Sequence, residues 1–464
     1  MRKGRRGHAA MGAFLAAWLL GAPIARAAQV GIFAADVTPP DGVPLAGFFD
    51  RRREIPDYFG LDLYSHWFEP SAGVRADDGI RAKAFALETA SGGRLVLVSV
   101  DLVAVPRDLR SAILAKLAAL AGLGTLPAFA PEEVVLTATH THSGPGTLTQ
   151  NWLFERTSGD RFEPTIRNVF ATKVAGVVAS AWNARKAATL HAFSVEILDV
   201  AQNRSDNTRP LHERANVMLV RTGSRWAGAL VGFPVHGTVL GKDNLEYSAD
   251  LPGAIERGLQ VDLATRNGDG LPTTVLFLNG AEGDAAPKHH GENALALLSS
   301  RVVSKVAAEI ASCGAGSACP SSWQVGADVL AVEHANVPLG TAFVYARKKV
   351  WGVLAPLFWW QLGLTLGWTL PHDAPITSIR LGDQYFLTWP GEPTAALGRA
   401  VANAACAKGA RLPWVVGLAD DHLAYFTTPK EFFGSDGTAE SSSLYGPYAG
   451  RRIVNAHCRL LNPP

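Results

Sequence analysis

Two histidines stand two residues apart where an apolar run meets a glycine-rich turn. The stretch VVLTATHTHSGPG covers residues 134–146 and contains His140 and His142. Side chains i and i+2 of a strand point to the same face, and the following glycines and proline end a strand. Two imidazoles on one face at a strand end suit a metal ion or a substrate. The alternative is a pair of half-exposed histidines in a polar loop.

Three further polar residues follow apolar runs in the same way. His236 follows a strand pattern in GFPVHGTVL, Glu392 follows one in YFLTWPGEPT, and Tyr425 lies in VVGLADDHLAYFTTP. Polar side chains at strand ends carry the chemistry of many α/β proteins. Histidine and carboxylate ligands with one open position are typical of zinc hydrolases. The pattern therefore favours a metal-dependent hydrolase whose site is assembled from several strand ends.

The elements that must position these residues alternate along the chain. Apolar strand patterns and helical spacings interleave, with a strand over 94–105 and helices over 108–123 and 162–187. Interleaved strands and helices predict an α/β fold with a layered sheet core covered by helices, in which both faces of the sheet are covered. We expect a single large catalytic domain over residues 28–464. The charged and aromatic stretch 48–77, which contains RRREIPDYFGLDLYSHWFEP, predicts a long loop.

The composition excludes one class of partner. The formal net charge is +2, with 43 lysines and arginines against 41 aspartates and glutamates. A nucleic-acid-binding protein needs a clustered basic face, and the mature sequence shows none. We therefore expect no nucleic-acid partner.

The first residues predict export. A basic start, MRKGRRGH, precedes a short apolar run and the small-x-small sequence Ala25-Arg26-Ala27, so residues 1–27 read as a signal peptide. The protein is then secreted or periplasmic, and an uncleaved anchor is the alternative. Disulfides are permissible there. The four cysteines allow three pairings, which the sequence leaves open: Cys313, Cys319, Cys406 and Cys458.

Ten sequence blocks together resemble one known family. The blocks are VGIFAADVTPP, PLAGF, SVDLV, THTHSGPG, QNRS, VHGT, NGAEGD, PGEPT, AYFTTPKEF and SLYGP, in chain order. They resemble the neutral (alkaline, non-lysosomal) ceramidases over about residues 29 to 450. The resemblance covers that family's catalytic domain, and we expect its C-terminal immunoglobulin-like domain to be absent.

The resemblance implies a role for individual residues. It implies Zn²⁺ held by His140, His236, Glu392 and Tyr425. It implies that His142 and Arg204 act in catalysis. It also implies three substrate-binding residues: Gly47, His422 and Tyr445.

The implied activity is zinc-dependent hydrolysis of the N-acyl amide bond of ceramide or a related lipid amide. The products would be a long-chain base and a fatty acid. One departure concerns the family's GDxSP block, in which Ala286 replaces the serine. Two alternatives therefore stay open: a related hydrolase of another amide or ester, and a lipid-binding relative without activity.

The apolar segment 350–370, VWGVLAPLFWWQLGLTLGWTL, is long enough to cross a bilayer, which needs about 20 residues. A single crossing would place His140 and His236 on one side and Glu392 and Tyr425 on the other. Because one zinc needs all four, we expect an apolar flap that dips into the outer lipid layer, giving peripheral membrane contact. A buried core helix is the alternative.

Overall fold

The computed structural model describes six ranges of the chain: 28–53, 66–76, 78–313, 319–343, 370–434 and 437–461. The predicted signal peptide and residues 350–369 of the apolar segment lie outside these ranges. Among the helices within them, none combines the length and the apolar character needed to cross a bilayer.

The described ranges contain the following elements. The strands are β1 (Gln29–Asp36), β2 (Arg81–Glu88), β3 (Arg94–Val100), β4 (Val134–Ala138), β5 (Lys186–Ala187), β6 (Thr189–Glu196), β7 (Ala201–Asn203), β8 (Arg214–Thr222), β9 (Arg225–Phe233), β10 (Thr274–Asn279), β11 (Ala285–Pro287), β12 (Leu330–Pro338), β13 (Asp373–Leu381), β14 (Gln384–Thr388), β15 (Glu392–Pro393), β16 (Leu412–Val416) and β17 (Tyr425–Phe426). The α-helices are α1 (Arg107–Gly122), α2 (Trp152–Phe154), α3 (Pro164–Asn183), α4 (Asp250–Asn267), α5 (Glu292–Ile310), α6 (Ala395–Cys406), α7 (Pro429–Gly434), α8 (Thr438–Ser441) and α9 (Ala449–Leu460). Short turns of other helix types are Pro131–Glu133, Glu155–Gly159 and Ser321–Trp323.

Three larger sheets form two stacked layers. The first layer is a five-stranded sheet of order β4-β3-β2-β1-β5, and the second contains the four-stranded sheets β10-β9-β8-β6 and β12-β13-β14-β16. Each larger sheet is antiparallel apart from one parallel pair, which is β3/β4, β9/β10 or β14/β16. Apolar side chains fill the space between the layers, among them Phe85, Leu97, Leu230, Leu276 and Trp414.

Helices cover the outer face of each sheet. α1 and α3 pack on the five-stranded sheet. α4 and α5 pack on one four-stranded sheet, and α6 and α9 pack on the other. The molecule is therefore built as helix, sheet, sheet and helix layers, which buries both faces of every larger sheet.

The predicted α/β class, with a layered sheet core covered by helices, is confirmed. Each larger sheet has helices on one face and another sheet on the other, so both faces are covered, as predicted. In β2, Ala82, Ala84 and Ala86 face the helices, while Phe85 and Leu87 face the second layer. All five side chains are buried, so the sequence shows that both faces are covered without showing what covers them.

One cysteine pairing is decided by the structure. A disulfide joins Cys313, just after α5, to Cys319. This bond excludes the two alternatives in which Cys313 pairs with Cys406 or Cys458.

A buried ion cluster joins the first sheet to α4. The Lys83 ammonium lies 2.5 Å from an Asp101 carboxylate oxygen and 2.7 Å from a Glu256 carboxylate oxygen. The other Glu256 oxygen accepts the backbone N–H of Phe277 at 2.7 Å. Asp101 also accepts the Thr139 hydroxyl at 3.2 Å. The cluster thus supports the backbone one residue before His140.

We predict that Glu256 makes stability depend on pH. Burial raises the pKa of Glu256 to about 7, and the Asp101 carboxylate adds to the shift while Lys83 opposes it. In the unfolded chain this pKa is about 4.3. The native state therefore holds more protons between these values, so the contribution of Glu256 is full below about pH 4 and is lost as pH rises towards 7.

Urea unfolding of wild type and Glu256→Gln at pH 5 and pH 7.5 measures this effect, because titrating groups outside the cluster of Lys83, Asp101 and Glu256 cancel in the difference. We expect wild type to lose stability relative to the variant as pH rises, by at most about 1.4 kcal/mol per pH unit. Parallel pH profiles for the two proteins would contradict the assignment.

Candidate metal centre

Two chain segments bring three histidines together. After β4 the backbone of His140 adopts a left-handed conformation, with φ of 68°, and its N–H donates to the Leu102 carbonyl at 2.9 Å. The Gly237 N–H donates to the His140 carbonyl at 3.2 Å, and the His142 N–H donates to the Gly237 carbonyl at 3.0 Å. This short ladder sets His236 beside both histidines of the HTH pair. A non-glycine residue at positive φ is uncommon and often marks a functional site.

A two-residue ladder brings the carboxylate and the tyrosine together. β15 and β17 are parallel, and Glu392 is the register partner of Tyr425. The Glu392 N–H donates to the Ala424 carbonyl at 2.9 Å. Gly391, with φ of 147°, lets the backbones approach, since a Cβ at this position would lie 2.3 Å from the Ala424 oxygen.

Backbone carbonyls orient two of the imidazole rings. His140 Nδ1 lies 2.7 Å from the Val103 carbonyl oxygen, and His236 Nδ1 lies 3.1 Å from the Ala285 carbonyl oxygen. A carbonyl only accepts, so each Nδ1 carries the proton. In the neutral rings Nε2 then presents a lone pair, which is the arrangement that metal-binding histidines need.

Those lone pairs converge on one carboxylate oxygen. Glu392 Oε2 lies 3.2 Å from His140 Nε2 and 3.1 Å from His236 Nε2. All three side chains are buried, and Oε2 has no hydrogen-bond partner among the described residues. Lone pairs facing each other at these distances repel unless a proton or a metal cation lies between them. Ligands at 2.0–2.1 Å from a tetrahedral zinc would be about 3.3 Å apart, so the three residues fit such an ion.

Tyr425 completes a fourth side of this group. Its hydroxyl oxygen lies 3.4 Å from His236 Nε2 and accepts a hydrogen bond from Arg204 Nη2 at 2.8 Å. Burial raises the pKa of Tyr425, and the Arg204 guanidinium acts in the opposite direction. The phenol oxygen thus has the Arg204 guanidinium on one side and the His236 and Glu392 side chains on the other.

The protonation states suit metal binding. Burial lowers the pKa of His236 to about 3, with Arg204 adding to the effect. Burial alone would raise the pKa of Glu392, but His140 and His236 hold it well below its usual value. A neutral imidazole and a charged carboxylate are the forms that bind a metal ion.

His142 lies beside the group rather than at its centre. Its Nε2 is 3.5 Å from His140 Nε2, and its Nδ1 is buried without a partner among the described residues. Burial lowers the pKa of His142 well below its usual value, and His140 and His236 add to this shift. Gly47 packs against the ring, and Phe48 contacts its edge with ring centroids 4.7 Å apart. The ring is therefore neutral and held in one place.

Asp284 ties together the segments that carry Arg204 and Glu392. Its carboxylate accepts the Asn203 side-chain N–H and the Ala395 N–H, each at 2.7 Å, and its carbonyl accepts the Arg204 N–H at 2.9 Å. It lies next to Ala285, whose carbonyl orients His236. The sequence pattern contained this residue but did not indicate its structural role.

Comparison with known proteins identifies the family. A family model described as neutral/alkaline non-lysosomal ceramidase, N-terminal, matches residues 63–316, which is more than half of the chain. The chain belongs to the neutral/alkaline non-lysosomal ceramidase family. This confirms the resemblance seen in the sequence.

Individual relatives agree with the family. The neutral ceramidase of Pseudomonas aeruginosa is 28% identical over 228 residues, which cover 45% of this chain and 32% of that relative. The match thus spans about a third of the relative's length. Two solved structures, a ceramidase complexed with C2 and the Pseudomonas aeruginosa neutral ceramidase, each align with 94% of this chain at a TM-score of 0.74 and 21% identity. The alignments cover 75% and 74% of the two solved chains and show that the fold is shared.

The structure brings most of the residues inferred from the ceramidase resemblance together. Gly47 contacts His142, and a single cluster contains His140, His142, Arg204, His236, Glu392 and Tyr425. His422 and Tyr445 lie outside this cluster.

His422 lines a neighbouring cavity of about 220 Å³, and Tyr445 lies behind its wall. The His422 ring lies against Phe154, and its Nδ1 is buried without a partner among the described residues. Tyr445 does not line the cavity itself. Its hydroxyl donates at 2.6 Å to the carbonyl of Pro371, which lines the cavity. Tyr445 is thus placed behind the wall, and its role in substrate binding stays a prediction.

One further buried acid near the centre was missed by the sequence reasoning. Glu282 is fully buried, and neither of its carboxylate oxygens has a hydrogen-bond partner among the described residues. Burial raises the pKa of Glu282 well above its usual value, and Glu392 adds to this shift. Its position after β10, in NGAEGD, was the available signal, because that run follows an apolar strand like the others.

We predict that Gly47→Ala destabilises the protein by acting on His142. The added Cβ would lie 2.5 Å from His142 Cγ, and φ of 123° at this position disfavours any side chain. Gly42→Ala is a matched control, since Gly42 has φ of 91° and no atom near the added Cβ. We expect each variant to lose about 1–3 kcal/mol from backbone strain, with a further loss for Gly47→Ala. Equal losses in thermal unfolding would show that the His142 contact relaxes freely.

Proposed function

We propose that this chain is a zinc-dependent amidohydrolase that cleaves the N-acyl bond of ceramide or a related lipid amide. The products are a long-chain base and a fatty acid. The proposal rests on the lone pairs of His140, His236 and Glu392 that meet at one buried point, beside a neutral His142. Family membership supports hydrolysis of a lipid amide.

The proposed ligands are His140, His236, Glu392 and Tyr425. When bound, zinc lowers the pKa of a water ligand towards about 7 and polarises the scissile carbonyl. The Val103 and Ala285 carbonyls keep the two Nε2 atoms aimed at the ion.

Proton transfer falls to His142. Its neutral ring can take a proton from the attacking water and deliver it to the leaving amine nitrogen as the C–N bond breaks. The new C–O bond belongs to the fatty acid, and the amine leaves as the long-chain base. Because the half-buried ring is packed against Gly47 and Phe48, it can do this without a large rearrangement.

Arg204 supplies a fixed positive charge. Its Nη2 donates to the Tyr425 hydroxyl at 2.8 Å and to the Gly283 carbonyl at 2.9 Å. Its Nε is buried without a partner among the described residues, so one donor stays available for a substrate oxygen. Part of the lipid amide would occupy the cavity beside His422.

The wider setting of the enzyme is also part of the proposal. Export by the predicted signal peptide would make the enzyme secreted or periplasmic. Contact of the apolar segment 350–370 with the membrane would bring the site to a water-insoluble substrate. Hydrolysis of another amide or of an ester would use the same groups.

We predict that the ligand and proton-transfer roles separate in three variants. Glu392→Gln should lose the metal, because the charged ligand becomes neutral. His142→Ala should keep the metal and lose about 100-fold or more in turnover. Glu282→Gln is a control in which a neighbouring buried acid is changed and the metal should be kept. Metal content by mass spectrometry, together with turnover of a fluorescent ceramide, checks all three.

Loss of metal from His142→Ala would make His142 a ligand and contradict this division. Retention of metal by Glu392→Gln would show that Glu392 is not needed to hold the ion.

We also predict that Ala286→Ser changes which lipid amides are cleaved. The wild type, without a serine at this position, should already be active. Ala286 is paired with Gln202 in the β7/β11 ladder, and the proposed water nucleophile needs no serine. Rates on a panel of N-acyl lipids should shift relative to one another by several fold. A wild type inert on the whole panel, beside an active serine variant, would refute this and make the hydroxyl essential.

A further inference from the structure

We propose that Arg51 is the residue that fixes the position of His142, so that the proposed proton transfer depends on a guanidinium that touches neither metal ligands nor substrate. This inference rests on the proposed function of His142. Arg51 is the first residue of the RRR run in the charged and aromatic stretch 48–77. The hydrolysis proposed for this chain does not use it.

The contacts of Arg51 converge on the backbone around His142. Its side chain is buried, with 2% of the residue exposed. Nη2 donates to the His142 carbonyl at 2.7 Å, while Nη1 donates to the carbonyls of Lys242 at 3.1 Å and of Asn244. One side chain thus joins the loop that carries His142 to the loop that follows the His236 segment.

The rest of the same loop contacts the His142 ring directly. Gly47 lies against the ring, and its N–H donates to the Ser158 carbonyl at 2.8 Å. The Phe48 ring contacts the edge of the imidazole, and the Arg51 guanidinium lies 5.3 Å from the centre of the Phe48 ring. We call Gly47, Phe48 and Arg51 the strap. The strap holds His142 from its ring to its carbonyl.

The chemistry of the side chain favours this reading over a general structural role. Burial lowers the pKa of Arg51 to about 10, which leaves it charged at neutral pH. Its hydrogen-bond acceptors within the described residues are all backbone carbonyls rather than carboxylates, so the guanidinium fixes main chain. A planar fork reaches separate carbonyls at once, and a lysine ammonium, as a point donor, does so less well.

A small displacement of His142 would matter. Its Nε2 stands 3.5 Å from His140 Nε2, and a shift of about 1 Å in a reacting group can cost about 100-fold in rate. Loosening the strap should therefore lower turnover while leaving the orientation of the metal ligands to the Val103 and Ala285 carbonyls.

The test compares Arg51→Met, Arg51→Lys and the matched control Arg52→Met in the full chain. Arg52 is the next residue, its side chain is 80% exposed, and it pairs with Glu69. We expect Arg51→Met to lose about 10- to 100-fold in kcat with KM within about twofold and with metal content unchanged. Arg51→Lys should recover part of the loss, and Arg52→Met should match wild type.

A second comparison asks whether Arg51 acts through His142. In a His142→Ala background, Arg51→Met should cause no further loss, because residues that act as one unit are not additive. An additive loss would show that Arg51 acts elsewhere and would overturn the inference.

A measurement independent of activity uses NMR of ¹³C-labelled histidine rings, with and without zinc. The His142 signal is identified by its absence in His142→Ala. It should shift or broaden in Arg51→Met and stay unchanged in Arg52→Met. An unchanged signal in Arg51→Met, or loss of metal and of thermal stability in that variant, would overturn the positioning role. Wild type that turns over no N-acyl lipid would refute the proposed function instead, while the NMR comparison would still decide the role of Arg51.

Discussion

The centre of this molecule depends on the mutual repulsion of three sets of lone pairs. In a buried space, Glu392 Oε2 lies 3.2 Å from His140 Nε2 and 3.1 Å from His236 Nε2. Without a proton or a cation between them, the folded structure must hold these three groups together against their repulsion. Rigid supports around the residues make this possible: a left-handed backbone at His140, a carbonyl behind each of the two imidazoles, and a ladder between Glu392 and Tyr425. A preformed site of this kind loses little entropy when it binds an ion.

Charge around the centre is balanced by burial as well as by pairing. Arg204 supplies a half-buried positive charge beside Tyr425, opposite the buried Glu392 carboxylate. The raised pKa of Glu282 keeps a second carboxyl near the centre from adding a further negative charge. The lowered pKa values of His142 and His236 keep two of the three imidazoles from adding positive ones. The metal-free centre is therefore close to neutral, which limits the cost of burying so many polar groups.

Sequence patterns predicted the parts of the site that depend on local rules. The apolar run before His140 identified a strand end, and helical spacing predicted α1 and α3 within a few residues. The stacking of two sheet layers could not be predicted, because a strand buried on both faces looks the same under a helix or a sheet. Tyr425 as a neighbour of Glu392 came only from the family resemblance, since a two-residue ladder has no sequence period. Arg51 looked like one of three similar arginines, and only the fold separates its buried side chain from the exposed Arg52.

The replacement of the family serine by Ala286 is easier to understand in this setting. The block around it contributes main-chain atoms to the centre: the Ala285 carbonyl orients His236, and the Asp284 carbonyl accepts the Arg204 N–H. The Asp284 carboxylate ties the neighbouring segments together through Asn203 and Ala395. Ala286 itself supplies a paired backbone in β11. Since none of these contacts uses a side chain at position 286, loss of a hydroxyl there leaves the support of the metal centre intact. The main-chain role of the block is thus to hold His236 and Arg204, and the proposed water nucleophile needs no serine at position 286.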